Sequence, residues 1–189
     1  GIWDSGVASA TVPVTRNDLL PQTIDPTTAT ITTSSGSTIA SRNISNTAII
    51  YRQSGSATCE PDGSGECLGW RVDLPLTGEM SVANPVLLTT DNVDLPRIIF
   101  PTLVPGTDAC SAGGTSWLME LNPIVGGLLS SPYVDTNGDG VINGSDTVVA
   151  GFDLDIGIVQ EPVVIYDPAQ GLVHKVFSGS TGAVANAQQ

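Results

Sequence analysis

The sequence predicts an all-β chain of short strands, and three observations carry that expectation. Thr, Val and Ile recur throughout, while the Ala-, Leu-, Glu- and Lys-rich stretches that favour helix are missing. Gly and Pro, 21 and 13 of 189 residues, interrupt the chain too often for long helices. Several segments alternate with period two: "GWRVDL" sets Trp70, Val72 and Leu74 on one face and Arg71 and Asp73 on the other. Antiparallel strands at this spacing build a sandwich or the blades of a β-propeller, and no clean internal repeat chooses between them.

The elements follow in order. "VASATVPVT" (7–15) alternates but holds Pro13, which marks an edge strand. "TATITTSSGSTIASRNI" (28–44) has two β-prone arms around Ser35 and Gly36 and reads as a hairpin. Residues 53–68 are a Ser/Gly/Asp-rich loop. Strands are expected in 69–80, 97–104, 115–121 and 151–159. Residues 161–177 give two more, joined by "DPAQG" (167–171). Residues 1–182 are expected to form a single β-rich domain and 183–189 a flexible tail. The start at Gly1-Ile2-Trp3, without Met, reads as a mature, trimmed or excised piece.

Charge narrows the partners. Nineteen acidic residues against six basic ones give a formal charge of −13. Such a field repels phosphate, so nucleic acid and anionic membrane surfaces are poor partners and no nucleic acid is expected, while cations are attracted. No apolar run reaches the length of a membrane-spanning helix, so no membrane insertion is expected.

Three cysteines point to an oxidising compartment. Cys59 and Cys67 bracket "CEPDGSGEC", a short turn-rich loop that a disulfide closes readily. Cys67 with Cys110 is the alternative pairing; otherwise Cys110 reads as a small buried hydrophobe. Zinc is disfavoured, since C-x-x-C pairs are absent and His174 is the sole histidine.

The stretch "DTNGDGVINGSD" (135–146) carries the clearest chemistry. Counting from Asp135, positions 1, 3, 5, 9 and 12 are Asp135, Asn137, Asp139, Asn143 and Asp146, with Gly140 at position 6 and Val141 at position 7. That register is an EF-hand-type calcium loop with Asp in place of the closing Glu. A hard cation takes six to eight oxygens, and alternate side chains of a tight coil supply them. Gly140 permits the bend, the Val141 carbonyl fills a place that no side chain reaches, and Ile142 is expected to pin the loop to the core. The bland reading is a solvated Asp/Asn/Gly turn, which the same residues favour. The flanks read as strand or coil, so Ca2+ is expected to staple a loop and not to drive a helix pair.

Catalytic candidates are weak. Asp153 and Asp155 are paired acids at i, i+2, but in a strand that spacing puts both on the solvent face. His174 reads as an outward strand residue, no G-x-S-x-G elbow occurs, and Trp3, Trp70 and Trp117 read as core. The chain is therefore expected not to be an enzyme.

Longer motifs carry a family resemblance. Gly69-Trp70, Asp73-Leu74-Pro75, Gly78-Glu79, Ile99-Phe100, Thr102-Leu103 and Pro105 lead to Cys110, Gly113-Gly114 and the run from Trp117 to Leu121. With "TRNDLLPQTI" (15–24) upstream and "QEPVVIYDPAQGLVHKVFSGSTG" downstream, this order resembles the C-terminal region of PilY-type pilus tip-associated adhesins over roughly residues 13–182. The resemblance implies the C-terminal blades of a modified β-propeller from a longer chain. It implies a non-enzymatic role in surface adhesion and type IV pilus assembly, extracellular at the pilus tip. The partners implied are minor pilins or a host or surface ligand, with self-association open. The family's shorter Asp/Asn calcium loop does not map residue by residue onto 135–146. Two other readings stand beside this one: a dockerin-like or accessory part of a secreted carbohydrate-active protein, and a structural subunit of an extracellular filament.

Overall fold

The structure is a computed structural model that describes residues 1–3, 14–25, 29–33, 35–52, 58–89, 96–106, 113–167, 169 and 172–188. Its strands are β1 (Ile2–Trp3), β2 (Leu19–Thr23), β3 (Ala29–Thr32), β4 (Thr38–Arg42), β5 (Ile50–Tyr51), β6 (Glu66–Cys67) and β7 (Gly69–Asp73). They continue with β8 (Val86–Leu88), β9 (Arg97–Pro105), β10 (Gly114–Leu121), β11 (Gly151–Asp153), β12 (Val163–Asp167), β13 (Leu172–Ser178) and β14 (Val184–Gln188). A 3₁₀ turn at Arg16–Asp18 is the only helical element among the described residues.

The central sheet has six antiparallel strands in the order β3-β4-β11-β10-β9-β8. The hairpin expected around Gly36 is β3-β4, with Ile31 opposite Ile39 and Gly36 at φ 80°. Period-two alternation gives this sheet two buried faces. Leu118, Ile99 and Phe152 turn to one side, where they meet Val173 and Phe177 of the sheet β12-β13-β14. Trp117, Met119 and Leu121 turn to the other, where they meet Leu20 and Trp70 of the sheet β1-β7-β2. Burying a large apolar side chain contributes about 1.5–3 kcal/mol, and β9 and β10 supply such side chains to both layers. The sheets are open and stacked face to face, in an all-β, propeller-like arrangement.

The structure departs from the sequence expectation in five places. The strand expected over 69–80 stops at Asp73 and gives way to a turn in which the Glu79 N–H bonds the Leu76 carbonyl at 3.0 Å. β2 and β7 pair in parallel, as do β5 and β6, because long connections bring distant segments side by side. The strand expected over 151–159 stops at Asp153: the Asp155 N–H bonds the Asp153 carboxylate at 2.9 Å, and Asp155 takes φ 51°. Residues 184–188, expected as tail, form β14 and pair with β13. Ile142 is only half-buried and belongs to neither core cluster. The edge strand expected over 7–15 falls largely outside the described residues, as does Cys110.

Cys59 and Cys67 are joined by a disulfide. Cys67 lies on β6 and is fully buried, so the bridge ties Cys59 and the turn that follows it to the core beside Trp70.

Candidate functional site

The loop at 135–146 leaves the core at Tyr133, which is 1% exposed, and returns to it at Val149. Between them Asp135, Asn137, Asp139 and Asn143 cap backbone N–H groups further along, which winds the chain into a coil. Asp135 accepts the N–H groups of Gly138 at 2.7 Å and Gly140 at 2.9 Å through its two oxygens. Asn137 Oδ1 accepts the Asp139 N–H at 2.9 Å, Asp139 Oδ1 the Val141 N–H at 2.8 Å, and Asn143 Oδ1 the Ser145 N–H at 2.7 Å. Gly138 and Gly140 take φ 80° and 84°, the left-handed region that a side chain disfavours.

Asp146 closes the coil. It is 7% exposed, and its Oδ1 accepts the N–H groups of Thr136 at 2.7 Å and Asn137 at 3.3 Å and the Thr136 hydroxyl at 3.2 Å. Its Oδ2 accepts the Asn143 N–H at 2.9 Å. Burial raises the pKa of this carboxyl, but the N–H groups of Asn143 and Thr136, with the Thr136 hydroxyl and Asn137 N–H, outweigh it and hold the pKa below the usual carboxylate range. The loop also lies on the edge of the central sheet: the Thr32 N–H of β3 donates to the Thr136 carbonyl at 3.0 Å, and Thr32 bridges to Asn137.

The donors of this coil suit a hard cation in kind, since all are oxygens. Asp135, Asn137, Asp139 and Asn143 each give one acceptor bond per engaged oxygen and keep lone pairs. Asp146 Oδ1 is saturated by three donors and Oδ2 is not. The Val141 carbonyl takes the Asn143 side-chain amide at 3.5 Å. Three carboxylates, or His and Cys, do not converge on one point anywhere among the described residues. An ion here would therefore draw on the mixed set of carboxylate, amide and carbonyl oxygens.

Sequence reasoning missed two buried ionic clusters, one on each face of the central sheet. Arg42 pairs with Glu79 at 2.6 and 3.1 Å, Glu79 also accepts the Thr102 hydroxyl at 2.6 Å, and the Arg42 guanidinium lies 3.7 Å over the Trp117 ring. On the other face Lys175 of β13 donates to Glu120 of β10, and Arg97 of β9 stands 3.6 Å from the same carboxylate. The signal was present for Lys175, because an outward His174 makes both of its neighbours inward in a strand. A hydrophobic pattern alone does not identify a charged residue as buried. Asp153 and Asp155 form a turn, and Trp70 and Trp117 are buried as expected.

No family profile and no curated protein matches the chain. Among solved structures it is similar to the C-terminal domain of PilY1 from Pseudomonas aeruginosa, with 21% identity and a TM-score of 0.61. The match covers 93% of this chain and 33% of that one, so the chain spans about a third of the solved domain. At that identity the likeness establishes the fold, and it agrees with the resemblance carried by the motifs around Trp70 and Trp117.

Proposed function

We propose that the chain is a non-enzymatic, calcium-stapled module of an extracellular adhesin associated with type IV pili. It works through protein contacts at the pilus tip, in surface adhesion and pilus assembly. The observation that carries this reading is the shared fold with the PilY1 C-terminal domain over 93% of the chain. Immunogold labelling of the native host's pili, with antibody raised against this chain, tests it. Label at pilus ends is expected; label confined to the cell body refutes the location.

Calcium is the ion of choice because the coil supplies six oxygen-bearing residues: Asp135, Asn137, Asp139, Val141 through its carbonyl, Asn143 and Asp146. A bound ion would neutralise the crowded carboxylates and cross-link the loop, and Asp146 would keep its hold on both ends. With Asp closing the loop and no paired second loop, affinity is expected at the weak, extracellular end, roughly 10⁻⁵–10⁻³ M. Titration calorimetry should show one site, lost in Asp135→Ala/Asp139→Ala; heat that is unchanged in the double variant places the ion elsewhere.

A further inference from the structure

The two edges of the central sheet end differently. At β3 the loop of 135–146 lies alongside the strand and blunts it. At β8 no described strand follows. An edge strand presents a row of backbone N–H and C=O groups to any incoming strand, and proteins guard such edges with charge, Pro, a bulge or a cover. β8 reads Val86-Leu87-Leu88 and carries neither charge nor Pro. Among the described residues its shortness and Pro85 just before it are the restraints, so backbone pairing alone would hold a partner weakly.

An apolar groove supplies the rest. It has a volume of about 230 Å³ and lies between β7 and β9, lined by Trp70, Val72, Leu74, Pro85, Ile98 and Phe100. Leu87 pairs with Ile98 across the β8-β9 ladder, which puts both side chains on the same face. Leu87 is 59% exposed, so the groove runs out to the edge strand. Met80 and Val82, 44% and 63% exposed, stand on the same connecting segment. Clustered apolar surface of this kind marks an interaction site. Gly1 and Ser81 complete the lining; no side chain there is charged, and Gly1 adds only the terminal ammonium, so the surface does not select a basic partner as the acidic exterior does.

We propose that β8 and this groove form a β-augmentation site for an extended, uncharged, apolar segment of a partner protein. The incoming strand pairs with β8, and its alternate side chains pack on Leu87 at the mouth of the groove. The open edge selects a strand over a helix, because a helix has no free ladder groups to offer. A charge of −13 on each chain opposes a second copy as the occupant. The inference does not depend on calcium.

The test uses the full chain, isotope-labelled for NMR, and a capped seven-residue peptide alternating Val and Thr as the probe. A second peptide, N-methylated at alternate residues, keeps the side chains and removes the ladder donors. Shifts confined to residues 86–88, Ile98 and Phe100 are expected. Affinity should fall at least about tenfold, or ~1.4 kcal/mol, for the N-methylated peptide and for Leu87→Lys, whose exposed position preserves the fold. Absence of shifts at millimolar peptide overturns the site. Equal binding of the N-methylated peptide overturns strand addition. Self-association abolished by Leu87→Lys overturns the choice of occupant.

Discussion

Replacing Asp146 with Ala should destabilise the protein more than the same change at any other acid of the loop, even without metal. Four donors end on its carboxylate, at 2.7 to 3.3 Å. Hydrogen bonds to a charged group contribute about 1.5–3 kcal/mol, and a buried donor left without an acceptor costs about 1–3 kcal/mol. The Thr136 N–H is buried, whereas Asn137 and Asn143 are exposed and can be rehydrated. The net cost is therefore about 2–4 kcal/mol. At about 2–4 °C per kcal/mol for a chain of this length, the melting point should fall by roughly 5–15 °C. Asp139 is exposed and caps one N–H, so Asp139→Ala should cost under about 1 kcal/mol. Urea unfolding in chelator, followed by the fluorescence of buried Trp70 and Trp117, measures both. Calcium at a hundredfold above its dissociation constant should then add about 2.7 kcal/mol to the native protein and little to Asp139→Ala. If Asp146→Ala costs no more than Asp139→Ala in chelator, Asp146 does not clasp the loop and the geometric argument fails.

Three further outcomes are expected. Cys59→Ser should lower stability by about 2.5 kcal/mol, from the entropy of a short closed loop, measured by denaturant titration without reductant; an unchanged midpoint refutes it. Gly126→Ala should cost about 3 kcal/mol, since Gly126 sits at φ 72° and an added Cβ would lie 2.2 Å from Trp70 Cδ2; an unaltered near-ultraviolet Trp signal and midpoint would count against that packing. Burial, with the Arg97 charge, outweighs Glu120 and lowers the Lys175 pKa below 10.5. The unfolded chain then binds that proton up to 10.5 while the folded chain releases it earlier, so native stability relative to Lys175→Met should rise as pH approaches 10. Burial raises the Tyr133 pKa well above 10, and the Glu120 charge adds to it, so beyond pH 10 Tyr133 acts in the opposite sense; a flat or falling difference below pH 10 refutes the Lys175 assignment.

What the sequence made legible follows the range of the interactions involved. The β3-β4 hairpin, β12-β13 and the disulfide depend on neighbours within about fifteen residues, and turn chemistry with period two is enough to read them. The coil of 135–146 is legible for the same reason, because every cap within it is local. The parallel pairing of β2 with β7 joins residues about fifty apart, and no local pattern encodes it. β14 reads "VANAQ", with none of the β-branched density that marks a strand; its ladder with β13 makes it one. Asp146 was legible as an oxygen donor but not as a buried clasp, since burial there depends on where the two ends of the loop leave the sheet.

The charge balance has a structural counterpart that composition hides. The protein has six basic residues, and each is in an ion pair: Arg16 and Arg71 with Asp73, Arg52 with Asp18, Arg42 with Glu79, and Arg97 and Lys175 with Glu120. Three of them, Arg42, Arg97 and Lys175, are buried, so their charge does not reach the surface. Buried pairs of this kind contribute little net stability, but removing one partner is costly, so they fix which sheet faces meet. The cations are thus committed to internal register, and the exterior is more uniformly acidic than a count of 19 against 6 implies. Such a surface attracts cations in general and repels phosphate backbones and anionic lipid. A partner that lacks a basic surface is repelled least where the field is weakest. The neutral apolar strip at Leu87, Met80 and Val82 is such a place, at the edge of the central sheet opposite the acidic loop.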